Sequence, residues 1–222
     1  MEEKMKERYK IVYQGGEGEI VEKKSRSIAE IRPVESEEEA TAFIAEVKKK
    51  YWDARHHCWA YAIGDEQVQE RCSDDGEPSG TAGKPILEVI RGNEIHNVLI
   101  VVTRYFGGTL LGTGGLVRAY TQAAQEGIAA STIVTKTQGY KVKIQTDYTT
   151  LGKIQYLLGQ KGVQIIDSVY QDNVEIFVYI SKEEETVLQR DITEVTNGQT
   201  VVERIEECSF ANVEGQMIQF DN

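Results

Sequence analysis

The chain has 222 residues, 40% of them hydrophobic and 27% charged, a length that admits one large or two modest domains with real cores. Its formal net charge of −11, from 25 basic and 36 acidic residues, argues against a protein that coats duplex DNA non-specifically. No apolar run approaches the roughly 18 residues needed to cross a bilayer, and the opening MEEKMKERYK has no apolar core for a signal peptide, so no membrane association and a cytoplasmic location are expected.

In chain order, KIVYQ and SIAEIRPV read as extended segments joined by the turn-rich GGEGE, a hairpin. A helix follows, with Ser36 as N-cap, Glu39 completing a capping box, and Ala40, Phe43, Ile44, Val47 and Tyr51 as its apolar stripe. HHCWAYAIG reads as a buried strand. SDDGEPSGTAGKP, residues 73–85, is a loop rich in glycine and carboxylate, and it leads into a short helix with Pro85 in the first turn, where no amide is needed. NVLIVVTRYF is a continuous β-branched run suited to a central strand; it empties into GGTLLGTGG and an alanine-rich helix expected to start near Gly115.

Beyond Thr135 the order of alternating and helical segments is β-α-β-β-α-β, with Asp172-Asn173 as the hairpin turn. The fold class expected is therefore α+β in two domains, residues 1–136 and a ferredoxin-like 137–222, with polar ends that fray. The second half is the more acidic, so an anionic partner is expected on the first.

The glycine-rich loops fail the specific nucleotide tests. Pro78 stands where a P-loop needs its first glycine, and Pro85 replaces the magnesium-binding hydroxyl. Val117 occupies the last position of a G-x-G-x-x-G beginning at Gly112. No cofactor is expected. What survives is a general anion site: helix-end amides freed by Gly107, Gly108, Gly112, Gly114 and Gly115, with Lys84, Arg104 and Arg118 as cations, suited to phosphate or nucleic acid. The competing reading has the glycines serving turns and packing while the arginines pair with Asp74, Asp75 or Glu77.

His57, Asp74, Asp75, Glu77, Ser79 and Thr81 would line a polar cleft beside that site. The carboxylates could bind Mg²⁺ or act as acid and base, but the spacing fixes neither role, and an Asp-Asp-Gly turn explains them equally. On a strand His56 and Cys58 share one side while His57 faces the other, which weakens a three-ligand site built from this tripeptide and favours a core cysteine beside one buried and one exposed histidine. With Cys58, Cys72 and Cys208 widely spaced, no metal site and no disulfide are expected. His96, alone in a polar stretch, is expected to be solvated.

DDGEPSGTAGKPIL followed by VLIVVTRYFGGTLLGTGGLVRAY resembles the signature of the YigZ/IMPACT family, with Ile86-Leu87, Ile90, Ile95, Val101-Val102, Arg104, Tyr105-Phe106, Gly107-Gly108 and Gly112 at the matching places. The resemblance covers about Ile20 to Ser131, and the tail is similar in element order to the second domain of the bacterial two-domain branch. It implies a first domain like ribosomal protein S5 domain 2 and a second like the C-terminal domains of translocating elongation factors. Eukaryotic members restrain an initiation-factor kinase by competing for its ribosome-associated activator. For this chain the resemblance implies a non-catalytic accessory factor of translation that binds RNA or a ribosome-associated protein. The rival readings are an enzyme acting on a small anionic, phosphorylated substrate and a protein-protein scaffold.

Overall fold

The computed structural model describes residues 8–65 and 67–220 and divides into two units, 1–134 and 135–222. In the first, β2 (Glu17–Glu22), β3 (Ser25–Pro33), β4 (His56–Ile63), β5 (Gln69–Ser73) and β7 (Val98–Tyr105) form an antiparallel sheet in the order β2-β3-β7-β4-β5. The apolar run read as a central strand is β7, and Val98 to Val102 are fully buried. Its alternate side chains serve two cores, because successive strand residues face opposite ways. Leu99 and Val101 pack with Phe43 and Val47 of α1 (Glu37–Lys50), whereas Ile100 and Val102 pack with Ile86 and Ile90 of α2 (Gly83–Asn93) and Tyr120 and Ala123 of α3 (Gly112–Ala129). One helix thus covers one face and two cover the other.

The N-cap of α1 is as read: the Ser36 hydroxyl accepts from the Glu39 amide at 3.2 Å. Helix and sheet approach closely at Gly18 and Gly127, where a Cβ on Gly18 would lie 2.3 Å from the Gly127 nitrogen. Larger residues at either position would push α3 off β2.

Four expectations are corrected. GGEGE is not a hairpin turn: Glu17 to Glu22 is itself β2, paired with β3 through a two-residue turn at Lys23-Lys24, both with positive φ. The preceding β1 (Arg8–Gln14) pairs instead, in parallel, with β6 (Ile95–His96). His96 is buried rather than solvated, its ring 5.2 Å from that of Tyr9 and its Nδ1 donating to the Gly64 carbonyl at 3.1 Å. The α3 helix begins at Gly112, three residues before the expected start. The chain end does not fray through its described length, because β12 (Gln216–Phe220) pairs with β11 (Val201–Val213); residues 1–7, 221 and 222 lie outside the described residues.

The second unit is ferredoxin-like. β8 (Thr132–Thr146), α4 (Leu151–Gln160), β9 (Ile165–Tyr170), β10 (Val174–Ser181), α5 (Lys182–Thr196) and β11 follow the βαββαβ order, and the antiparallel sheet runs β11-β8-β10-β9. Val142, Ile144, Val174, Ile176 and Val178 bury against Ile154, Leu158, Leu188 and Ile192 of the two helices. No helix among the described residues is long and apolar enough to cross a membrane.

Candidate functional site

The register of the first sheet brings both glycine-rich loops to one end of it. Ser73, at the end of β5, lies opposite Trp59; His56 lies opposite Arg104, and Arg26 opposite Tyr105. The 74–82 loop, the 106–111 loop, the start of β4 and the Lys23-Lys24 turn therefore share an edge.

The acidic loop is occupied by its own chemistry. Asp74 Oδ1 accepts from the amides of Ala82 at 3.0 Å and Gly83 at 2.8 Å, and its Oδ2 accepts from the Gly80 amide at 2.8 Å. Asp74 is thus the cap of α2, supplied from nine residues upstream of Gly83, and it fills the amides at that helix end. Burial raises the Asp74 carboxyl, but the Gly80, Gly83 and Ala82 amides outweigh it and hold the group below its ordinary value. Asp75 accepts from the His57 amide at 2.7 Å and pairs with Lys48 at 2.9 Å, tying the loop to α1. Burial opposes its ionisation too, and the Lys48 ammonium and the His57 amide again prevail.

Glu77 reaches inward. Its side chain is 3% exposed and that of Arg104 is 8% exposed, with Arg104 Nε donating to Oε1 at 2.5 Å. The Tyr120 hydroxyl donates to the same oxygen at 2.7 Å. Arg104 is therefore committed to a buried pair rather than offered to a ligand, because β7 ends under the loop and its even positions face the α2-α3 core. Cys58 lies beside this group, its thiol donating to the Asp74 carbonyl at 3.0 Å with the Tyr120 oxygen 3.3 Å away. Burial pushes the Cys58 thiol up to about 12. Iodoacetamide at neutral pH should label Cys72, which is exposed, and spare Cys58 and Cys208, which are buried; peptide mapping of the alkylated native protein checks this.

The other expected cleft residues do not converge on a reactive centre. His57 is buried and its Nε2 donates to the Tyr51 carbonyl at 3.1 Å. The Thr81 hydroxyl donates to the Pro78 carbonyl at 2.6 Å, closing the turn, and Ser79 is exposed on it. Among the described residues no group of three His, Cys, Asp or Glu side chains is arranged to hold a metal ion.

The second glycine loop is different. Among the described residues the structure shows no side chain accepting from the first amides of α3, whose N-cap is Leu111, so the start of this 18-residue helix keeps the partial positive charge of its dipole. Gly112, Gly114 and Gly108 are exposed there, whereas Gly115 is buried against Leu111. Arg118 folds back along that turn: a Cβ on Gly114 would lie 3.7 Å from Arg118 Nη1. Among the described residues Arg118 has no ion pair. Gly107 is where the loop meets the Lys23-Lys24 turn, with any Cβ falling 2.0 Å from the Lys24 carbonyl carbon, so that exposed lysine is fixed beside the loop. Phe106 at 51% and Leu110 at 83% exposure flank the glycines. Lys84 is exposed at the start of α2, next to the end that Asp74 fills.

Sequence reasoning missed Tyr120 and Lys24. Tyr120 sits on the α3 core stripe with Leu116 and Ala123, and a phenol on such a stripe requires a polar partner, which was a usable signal. Lys24 gave none, since its place depends on a turn type that lysine seldom forms.

Residues 23–128, which span both loops, match the Impact N-terminal domain family, and residues 144–199 match a domain of unknown function. The chain is 41% identical over 192 residues to the IMPACT family member YvyE of Bacillus subtilis, covering 86% of this chain and 88% of that protein. It is 44% identical over 151 residues to the IMPACT family member YigZ of Escherichia coli, covering 67% of this chain and 74% of that one. A crystal structure titled only as a hypothetical protein aligns with a TM-score of 0.58 at 36% identity, over 90% of this chain and 98% of its own. With its glycine-loop domain and its second domain both matched, and with such relatives along most of its length, the chain belongs to the IMPACT family.

Proposed function

We propose that the protein is a non-catalytic, cytoplasmic accessory factor of translation whose first unit binds RNA phosphate on the ribosome or on structured RNA. The observation that carries this reading is the N-terminus of α3, which among the described residues has no side-chain cap, with the Arg118 guanidinium, there without an ion pair, laid along its first turn. An anion placed there meets free amides, the helix dipole and a guanidinium together. Lys24 and Lys84 are exposed near it, and the resemblance to the IMPACT family implies a link to translation.

The carboxylates that an enzymatic reading needs are engaged elsewhere: Asp74 caps α2, Asp75 pairs with Lys48, and Glu77 holds Arg104. That weighs against acid-base work on a small phosphorylated substrate. The scaffold reading differs in predicting binding indifferent to salt.

Binding of purified ribosomal subunits and of a structured ribosomal RNA fragment across a salt series tests the proposal. Arg118→Gln and Lys24→Gln should each weaken binding and flatten the slope of log K against log salt by about one unit. No association at low salt, or association unaltered in the double variant, overturns it.

A further inference from the structure

We propose that the same end of the first unit is a stacking platform for unpaired RNA bases, with Trp52 and Phe106 as its aromatic faces. The inference rests on the phosphate-binding reading above and names the form of RNA that the site takes.

Trp52 is 81% exposed, in the connection that follows α1. Its contrast with the other tryptophan is informative: Trp59 is half-buried and stacked on Tyr61 at 5.6 Å, so the fold uses one indole and leaves the other out. The Tyr105 hydroxyl donates to Asp53 Oδ1 at 2.8 Å, which clamps this connection to the end of β7. Trp52 and Phe106 are each one residue from that clamp. Leu110 then continues the apolar surface toward α3.

Cations alternate with these rings. Arg55 and Lys24 are exposed and, among the described residues, without ion pairs, and Arg118 lies at the helix end beyond Leu110. Flat aromatic surface interleaved with free positive charge suits a strand whose bases stack while its phosphates are neutralised. A duplex presents no base faces, so it would use the cations alone. Tryptophan, phenylalanine and arginine also suit a protein interface, but Lys24 among them is of a type that interface centres deplete, and that favours RNA.

The test titrates the full chain with an unstructured oligouridine and with an RNA duplex of equal length, following intrinsic fluorescence and binding. The oligouridine should bind more tightly and quench Trp52, with the signal of Trp59 unaffected. Trp52→Ala and Phe106→Ala should each weaken oligouridine binding by about 5- to 100-fold with the salt slope unchanged, and Trp52→Phe should keep most of the affinity. Both positions are exposed, and an unaltered circular dichroism melt would show that the variants fold.

If the RNA binds with a normal salt slope but these variants match the parent, or if the duplex binds equally well, stacking is overturned while phosphate binding stands. If neither RNA binds at low salt, both readings fall. Capture of ribosomal subunits that survives RNase and high salt would assign the patch to a protein partner and overturn the inference.

Discussion

Glu77→Ala should destabilise the first unit by about 3–5 kcal/mol, the range for removing one partner of a buried ion pair. The reason lies in what is left behind. Arg104 would keep its charge under the loop with no carboxylate to meet it, and the Tyr120 hydroxyl, fully buried, would lose its acceptor. Burial works against the Arg104 charge, and the hydrogen bond it donates to Glu77, with the charge of that carboxylate, outweighs it, so the net direction of its pKa is upward. Deleting Glu77 therefore exposes the burial penalty alone. Both tryptophans, Trp52 and Trp59, belong to this unit, so denaturant unfolding followed by their fluorescence isolates it from the second. Adding Arg104→Met to Glu77→Ala should restore part of the loss, because the stranded cation is removed. A loss below about 1 kcal/mol in the single variant, or no recovery in the double, would mean that water reaches the pair and that the network is not a structural anchor.

The anchor explains why two loops of similar composition behave differently. In one, Asp74 consumes the helix-end amides of α2, Glu77 the nearest arginine, and Asp75 the His57 amide and Lys48. In the other, no carboxylate is within the glycine run, and α3 keeps its donors open. The acidic loop acts as a rigid wall that fixes β7, and with it Tyr105 and Phe106, beside the open helix end.

Much of this is legible in the sequence. The Ser36 N-cap of α1, the apolar run of β7 and the βαββαβ order of the second unit depend on local patterns, and local patterns are printed in the sequence; the Glu39 carboxylate, read as the other half of a capping box, accepts instead from the Glu35 amide. The family's loops were recognisable for the same reason. The β2-β3 turn was hidden because two lysines take a left-handed conformation that glycine and asparagine normally signal. The partner of β1 was hidden because β6 is two residues long and more than eighty positions away. The onset of α3 was misplaced because Gly112-Thr113-Gly114 are poor helix formers, and tertiary packing overrides their propensity. The fate of Arg104 was undecidable: three carboxylates stood within reach, and only the sheet register selects Glu77.

Asp74→Ala should cost about 2–4 kcal/mol, because three amides lose a charged acceptor at once and the α2 terminus loses its cap. Asp74→Asn should fall between, since one oxygen remains to accept from Ala82 and Gly83 while the amide nitrogen cannot accept from Gly80. Limited proteolysis should open the 74–82 loop in the alanine variant first, since Asp74 joins the loop's two ends. The same contacts set an acid limit. Asp74 and Asp75 are both held below their ordinary values in the folded chain, so their stabilisation is complete above the unfolded carboxylate value near 4 and is lost as pH falls through the lower folded values. The fluorescence-detected transition should therefore be flat above about pH 5 and fall below about pH 4. In Asp74→Asn the fall should be shallower, since one of the depressed carboxyls no longer titrates while Asp75, Glu19 and Glu70 still do. An acid limb as steep as that of the parent would show that the capping carboxylate is not what joins this loop to the helix.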